Sequence, residues 1–154
     1  WQLALAARLN RAASIHCLDA WGAMLEALQS TPRPARGFLL HAYGGSLELG
    51  REFAALGACF SFNPDFLAER HAARRAVFAG LPADRILVET DAPAMPPPEA
   101  LRRYPLPDLA DGTVLNHPAN VVVAYEGLAA IRHTSVDDLA RQVESNFRRL
   151  FGCG

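Results

Sequence analysis

The chain has 154 residues, of which 51% are hydrophobic and 20% are charged, and its formal net charge is -1. This apolar content at nearly zero net charge excludes a disordered chain and is typical of a globular domain. The apolar stretches are far shorter than the roughly 18 residues that a membrane-spanning helix needs, so we expect no membrane association. The scattered cysteines Cys17, Cys59 and Cys153 indicate no disulfide framework, and we interpret them as small core residues of a cytoplasmic protein.

Short apolar runs alternate with helical patterns along the chain, which is typical of repeated β-α units on a parallel sheet. The first residues already have the pattern of the middle of an amphipathic helix, so we expect the chain to begin partway through a domain. Asp19 and Ser46 are the predicted N-caps of the next two helices. The predicted strands are 12–16, 37–41, 58–62 and 85–89, and the predicted helices between them are 20–28, 46–56 and 66–81.

The region after the fourth strand has the least regular pattern. Residues 92–118, called the proline-rich segment below, are predicted to be a long loop or lid rather than a helix or a central strand. Two closing helices are predicted at 119–132 and 136–150, the second capped by Thr134 or Ser135. We expect the whole chain, 1–154, to form a single domain.

Three of the four predicted strands end in a side chain that can bind a metal: His16 and His41 are the last residues of their strands, and Asp91 lies just beyond Glu89. Because the carboxyl ends of parallel strands meet on one face, these residues can come together there, and imidazole with carboxylate suits Zn, Mn or Mg. Each histidine alone is also consistent with a hydrogen-bonded strand end, and Asp91 with an Asx turn. Glu89 needs a partner, because burying a lone carboxylate is costly. The other histidines lack ligand-like spacing and are expected at the surface: His71, His117 and His133.

Four segments carry a resemblance to a known family. They are Ile-His-Cys-Leu-Asp-Ala at 15–20, His-Ala-Tyr-Gly-Gly-Ser at 41–46, Val-Glu-Thr-Asp-Ala-Pro at 88–93, and Glu-Ser-Asn-Phe-Arg-Arg-Leu-Phe at 144–151. In this order they resemble the signatures of the TatD family of metal-dependent hydrolases and deoxyribonucleases. The resemblance implies an α/β fold of the TIM-barrel type, with a one- or two-metal centre that hydrolyses phosphodiester bonds and trims DNA or RNA from the 3' end.

Carried over by position, His16 and His41 correspond to the family's metal-binding histidines on strands five and six, and Asp91 to its metal-binding aspartate on strand eight. The resemblance implies that Asp91 is also catalytic, because it orients a metal-bound water and takes its proton. Glu89 and Thr90 are then supporting neighbours. The implied cofactor is one or two ions of Zn, Mn or Mg, and the implied partner is nucleic acid, in the first place single-stranded DNA.

The family's His-x-His pair on strand one and its bridging Glu on strand four have no counterpart in the chain. We therefore expect the C-terminal half of a TatD-type barrel, strands five to eight, which needs the missing N-terminal half or another copy of itself. Weak metal binding and low or no nuclease activity are expected of the isolated chain. Leu18 replaces the family's Arg, Ala-Tyr-Gly-Gly at 42–45 replaces Cys-Phe-Ser-Gly, and Asn-His-Pro at 116–118 replaces Asn-Glu-Pro.

Two other functions stay open. One is a related barrel hydrolase that acts on another ester or amide, since fold and metal site alone do not choose the substrate. The other is an inactive fragment that acts only as an interaction module, through the sheet edges and apolar face that half a barrel leaves exposed. The proline-rich insert at 95–111 is expected to reshape the mouth of the site in either enzyme.

Overall fold

The four predicted strands form one parallel sheet in the computed structural model, which describes residues 1–152. They pair in chain order, with β1 at Ser14–Ile15, β2 at Phe38–Leu40, β3 at Ala58–Phe62 and β4 at Ile86–Val88. The prediction for β3 is exact, and the other three strands are shorter at both ends than predicted. The α/β class with a parallel sheet is confirmed, and all four carboxyl ends lie at one edge of the sheet.

Six α-helices accompany this sheet within the described residues. Parallel neighbours need crossover connections, and each of the three crossovers between these strands contains one α-helix. The helices are α1 at Gln2–Leu9, α2 at Trp21–Ser30, α3 at Leu47–Ala55, α4 at Ala72–Gly80, α5 at Val121–Ile131 and α6 at Val136–Phe151. Among residues 1–152, no helix combines the length and the apolar character that crossing a bilayer requires.

Two of the predicted helix caps are present and one is not. The hydroxyls of Ser46 and Ser135 accept hydrogen bonds from the backbone N–H three residues later, at 3.3 and 3.0 Å, and so cap α3 and α6. The predicted cap by Asp19 is wrong. Ala20 precedes α2 without a side-chain cap, and Asp19 itself has a left-handed backbone with φ of 51°.

The predicted helix at 66–81 is wrong over its first six residues, 66–71. Two 3₁₀ turns, Pro64–Leu67 and Glu69–His71, come before α4 begins. Between them Ala68 has an extended backbone with ψ of 145°, which interrupts any continuous helix. Pro64 opens the first turn because its fixed φ suits a helix start and it has no N–H to leave unpaired there.

The core lies on the face of the sheet that packs against the helices. Alternate strand residues point to this face, and they are fully buried: Phe38, Leu40, Phe60, Phe62 and Ile86. Phe62 contacts Phe78 of α4 edge to face, with ring centroids 5.1 Å apart. On the opposite face, Leu39, Ser61 and Leu87 line an open groove of about 400 Å³ that α6 borders.

Close backbone approach explains the glycine that precedes β2. Gly37 has φ of +95°, and a Cβ built on it would lie 2.3 Å from the carbonyl oxygen of Gly57. Both the backbone angle and the contact exclude a larger residue without a shift of the chain. Gly57, with φ of +99°, follows Leu56, the C-cap of α3.

Candidate metal centre

His41 and Glu89 meet at the carboxyl edge of the sheet. His41 directly follows β2, and its backbone N–H donates to the carbonyl of Ile15 on β1 at 3.0 Å. Glu89 directly follows β4, and its N–H donates to the carbonyl of Phe62 on β3 at 3.0 Å. The strand pairing thus holds both backbones in place, and His41 Nδ1 lies 2.7 Å from Glu89 Oε2.

The Glu89 carboxylate has three hydrogen-bond partners. Besides His41, the backbone N–H of Ala42 donates to Oε1 at 3.0 Å, and the hydroxyl of Ser61 donates to Oε2. The side chain is 15% exposed, so these bonds replace most of its water. Ser61 belongs to β3, the strand between the two that carry His41 and Glu89. The partner that a buried Glu89 requires is therefore supplied by two neighbouring strands.

Asp91 lies on the other side of the His41 ring. Its Oδ1 atom is 3.7 Å from His41 Nε2, and the side chain is 36% exposed. Asp91 has a left-handed backbone with φ of 56°, a conformation that is costly for a residue other than glycine and is common at functional sites. An Asx turn is excluded, because the residue two positions later is Pro93, which has no N–H to donate.

His16 follows β1 and is exposed. Its ring centroid lies 5.5 Å from that of His41, with the rings tilted by 36°. The carboxyl edge thus brings His16, His41 and Asp91 into one neighbourhood. In the part of the chain that the structure describes, however, no three His, Cys, Asp or Glu side chains are close enough to hold a metal ion as they stand.

The chemistry of His41 and Asp91 fits a divalent cation. A carboxylate only accepts hydrogen bonds, so the neutral His41 ring that suits Glu89 donates from its Nδ1–H and keeps its lone pair on Nε2. That lone pair faces Asp91 Oδ1, a second acceptor, at 3.7 Å. Two ligands of one tetrahedral zinc ion lie about 3.4 Å apart when each bond is about 2.0–2.2 Å long, so the separation of 3.7 Å is close to what a shared ion needs. A carboxylate on the far nitrogen is the usual support of a metal-binding histidine.

Two of the remaining histidines have structural partners. His71 was expected at the surface, but its side chain is only 17% exposed and its Nε2 lies 2.9 Å from Oδ2 of Asp65. This contact fixes the two 3₁₀ turns before α4. His117 is partly buried, and its Nδ1 accepts the N–H of Ala119 at 3.0 Å. His133 is exposed, as expected.

The cysteines differ in burial. Cys59 on β3 is 1% exposed, as expected of a core residue, and burial raises the pKa of its thiol. Cys17, expected in the core, is only partly buried beside His16. Cys153 lies outside the described residues.

Tyr43, within the segment that departs from the family pattern, is a core residue. Its hydroxyl donates to the carbonyl of Ser46 at 2.9 Å, and its ring packs edge to face on Trp21 with centroids 4.6 Å apart. Burial raises the pKa of the Tyr43 phenol, so the group stays protonated and serves packing.

The order of these residues and the fold together place the chain among known proteins. A family model described as TatD related DNase matches residues 1–152. The chain belongs to this family. It is 30% identical over 151 residues to the 3'-5' ssDNA/RNA exonuclease TatD of Pantoea vagans, and this alignment covers 97% of the chain and 55% of that protein. It is 28% identical over 150 residues to the deoxyribonuclease TATDN3 of Homo sapiens, and this alignment covers 97% of the chain and 48% of TATDN3.

A solved structure agrees with this placement. The TatD homologue YJJV of Escherichia coli superposes with a TM-score of 0.84 at 25% identity, over 99% of the chain and 54% of YJJV. A TatD family hydrolase from Entamoeba histolytica, at 17% identity and a TM-score of 0.80, shows the same fold over 96% of the chain and 53% of its own. The chain spans about half the length of the relatives that it matches.

Proposed function

We propose that the chain carries part of a metal-dependent nuclease that hydrolyses phosphodiester bonds of single-stranded DNA or RNA. The observation that carries this proposal is His41, held between Glu89 and Asp91 at the carboxyl edge of the sheet in a chain of the TatD family. The names of the relatives support the substrate, since one is called an ssDNA/RNA exonuclease and another a deoxyribonuclease.

In this proposal His41 Nε2 and Asp91, with His16 nearby, hold one or two divalent ions of Zn, Mn or Mg. A bound ion would supply an acidified water and positive charge for the phosphate. Glu89 is a positioning residue, because its bond to Nδ1 selects the tautomer of His41 that keeps Nε2 free of a proton. Asp91 is the proposed catalytic base. Its Oδ1 faces His41, which leaves Oδ2 to take the proton of the attacking water.

We further propose that β1 to β4 correspond to strands five to eight of the family's barrel, in a single domain. The support is the order of His16, His41 and Asp91, which come after the first, second and fourth strands of the sheet. Both outer strands then need covering, by an N-terminal half or by another copy of the chain. Light scattering and chemical unfolding test whether the outer strands need such a partner. A monodisperse monomer that unfolds cooperatively would contradict it.

The nuclease proposal is tested with a 5'-labelled single-stranded oligonucleotide, Mn²⁺ and a high concentration of the chain. The expected result is slow trimming from the 3' end that stops with EDTA and in the variant Asp91→Asn, but not in the matched variant Asp108→Asn of an exposed aspartate. Trimming that persists in Asp91→Asn contradicts the assigned role. No trimming in Mn²⁺ favours the inactive fragment, and cleavage of a carboxylic ester alone favours the other hydrolase.

A further inference from the structure

The proline-rich segment is tied to the candidate metal centre by two asparagines that are 0% exposed. The amide Nδ2 of Asn116 donates to the carbonyl of Thr90, the residue before Asp91, at 2.8 Å. Asn120 Nδ2 donates to Asn116 Oδ1 at 3.1 Å and to the carbonyl of Tyr104 at 3.1 Å. Three hydrogen bonds therefore connect the backbone of Tyr104 to the end of β4.

The same amide holds Tyr104 from its other side. Asn120 Oδ1 accepts the backbone N–H of Arg103 at 3.2 Å and that of Tyr104 at 3.0 Å. Asn120 thus binds both the N–H and the carbonyl of Tyr104. Tyr104 lies between the 3₁₀ turn Glu99–Leu101 and the isolated β-bridge of Pro105 with Asn116, and this clamp fixes where the tyrosine side chain begins.

The Tyr104 ring is fixed on one face and exposed elsewhere. Its centroid lies 5.9 Å from that of the His117 ring, at a tilt of 31°, and the residue is 44% exposed. An aromatic ring that is held in place but half exposed to water contributes little to the free energy of folding. Such a ring is suited to stack on the flat face of a ligand.

Arg102 supplies a second observation on the same segment. Its Nε atom is buried and has no hydrogen-bond partner within residues 1–152. The next residue, Arg103, is paired with Glu126 at 2.7 Å. A buried guanidinium donor without an acceptor is costly. Arg102 as a whole is only partly buried, and a phosphate oxygen is the kind of acceptor that a guanidinium binds well.

We infer that Tyr104 forms a base-stacking subsite beside the candidate metal centre, and that Arg102 contacts a phosphate of the same strand. The ligand class is single-stranded nucleic acid, whose bases are free to stack, whereas the bases of a duplex are not. This inference rests on the proposed nuclease function and specifies how its substrate is held.

Binding of a fluorescein-labelled single-stranded DNA, measured by anisotropy in EDTA, tests the subsite without any cleavage. Tyr104→Leu removes the stacking ring and is expected to weaken binding by about 5-fold to 100-fold, while Tyr104→Phe keeps it within about 2-fold. The control is Leu109→Ala, an equally exposed side chain of the same segment (49% exposed), which is expected to change nothing. Arg102→Gln is expected to reduce the salt dependence of binding.

An abasic oligonucleotide separates stacking from charge. Wild-type chain is expected to bind it about as weakly as Tyr104→Leu binds the normal strand. Equal affinity of the wild type for both strands, equal binding by Tyr104→Leu and wild type, or no binding by the wild type would overturn the inference. Because Tyr104 is half exposed, unchanged thermal unfolding of Tyr104→Leu is expected and excludes a folding defect.

The two proposals fail in different ways. Binding that depends on Tyr104, without any cleavage in Mn²⁺, supports the subsite and contradicts the slow trimming proposed for this chain. Cleavage that needs Asp91 supports the nuclease, and DNA binding that is unchanged in Tyr104→Leu contradicts the subsite.

Discussion

Replacing Glu89 with glutamine perturbs the candidate centre with almost no change in shape. The carboxylate accepts bonds from His41 Nδ1, the Ala42 N–H and the Ser61 hydroxyl. A glutamine amide has one acceptor oxygen and one donor nitrogen, so neither orientation keeps all three bonds. With the oxygen toward His41, the amide nitrogen opposes the Ala42 N–H, and one buried donor loses its acceptor. With the nitrogen toward His41, Nδ1 must accept, and the proton moves to Nε2.

The magnitudes follow from these two arrangements. An unpaired buried donor costs about 1–3 kcal/mol, so we expect Glu89→Gln to lower the free energy of unfolding by about that amount. A proton on Nε2 competes with the metal, and loss of such a supporting carboxylate typically lowers metal affinity about 10-fold to 100-fold. Urea unfolding measures the first effect, and calorimetric titration with Zn²⁺ measures the second.

The matched control is Glu52→Gln, which changes an exposed glutamate of α3. It is expected to shift neither the unfolding free energy nor the metal affinity beyond about 0.5 kcal/mol. If Glu89→Gln behaves like Glu52→Gln in both measurements, Glu89 does not position His41, and the reasoning is refuted.

Three further substitutions or labels test the fold. Gly37→Ala is expected to lower the free energy of unfolding in urea by about 2 kcal/mol or more, because φ is +95° and the new Cβ meets a carbonyl oxygen. The control Gly22→Ala, with open space in α2, is expected to raise it by up to about 1 kcal/mol. Equal effects of the two substitutions would contradict the close approach at Gly37. Asn146→Ala removes the donor to two carbonyls, at 2.9 and 2.8 Å, and is expected to cost about 1–3 kcal/mol in the same assay. Iodoacetamide is expected to modify Cys17 in the folded protein and Cys59 only after unfolding, since burial raises the pKa of the Cys59 thiol; peptide mass spectrometry that finds both labelled equally would refute this.

The strands and most helices could be predicted because their signals are local. The apolar run at 58–62 is bounded by turn residues and becomes β3 without change. Ser46 caps α3 because a hydroxyl at that position meets the free N–H groups of the first turn. The helix predicted at 66–81 failed over residues 66–71, since apolar spacing alone cannot distinguish two 3₁₀ turns from the first turns of a helix.

The candidate site shows where sequence reasoning stops. The common location of His16, His41 and Asp91 at one edge of the sheet could be predicted, because parallel strands end on one face. The contact of His41 with Glu89 could not, since it joins residues 48 positions apart across an intervening strand. The requirement that a buried Glu89 have a partner was the only available signal. The partnership of His71 with Asp65 was missed because it depends on the 3₁₀ turns.

The most direct measurement is an anomalous difference map from crystals of the chain soaked in Zn²⁺. We expect a peak within about 2.2 Å of both His41 Nε2 and Asp91 Oδ1, with Glu89 still bonded to His41 Nδ1. A peak bound elsewhere, or no peak while His41 and Asp91 keep their 3.7 Å separation, would contradict the metal centre.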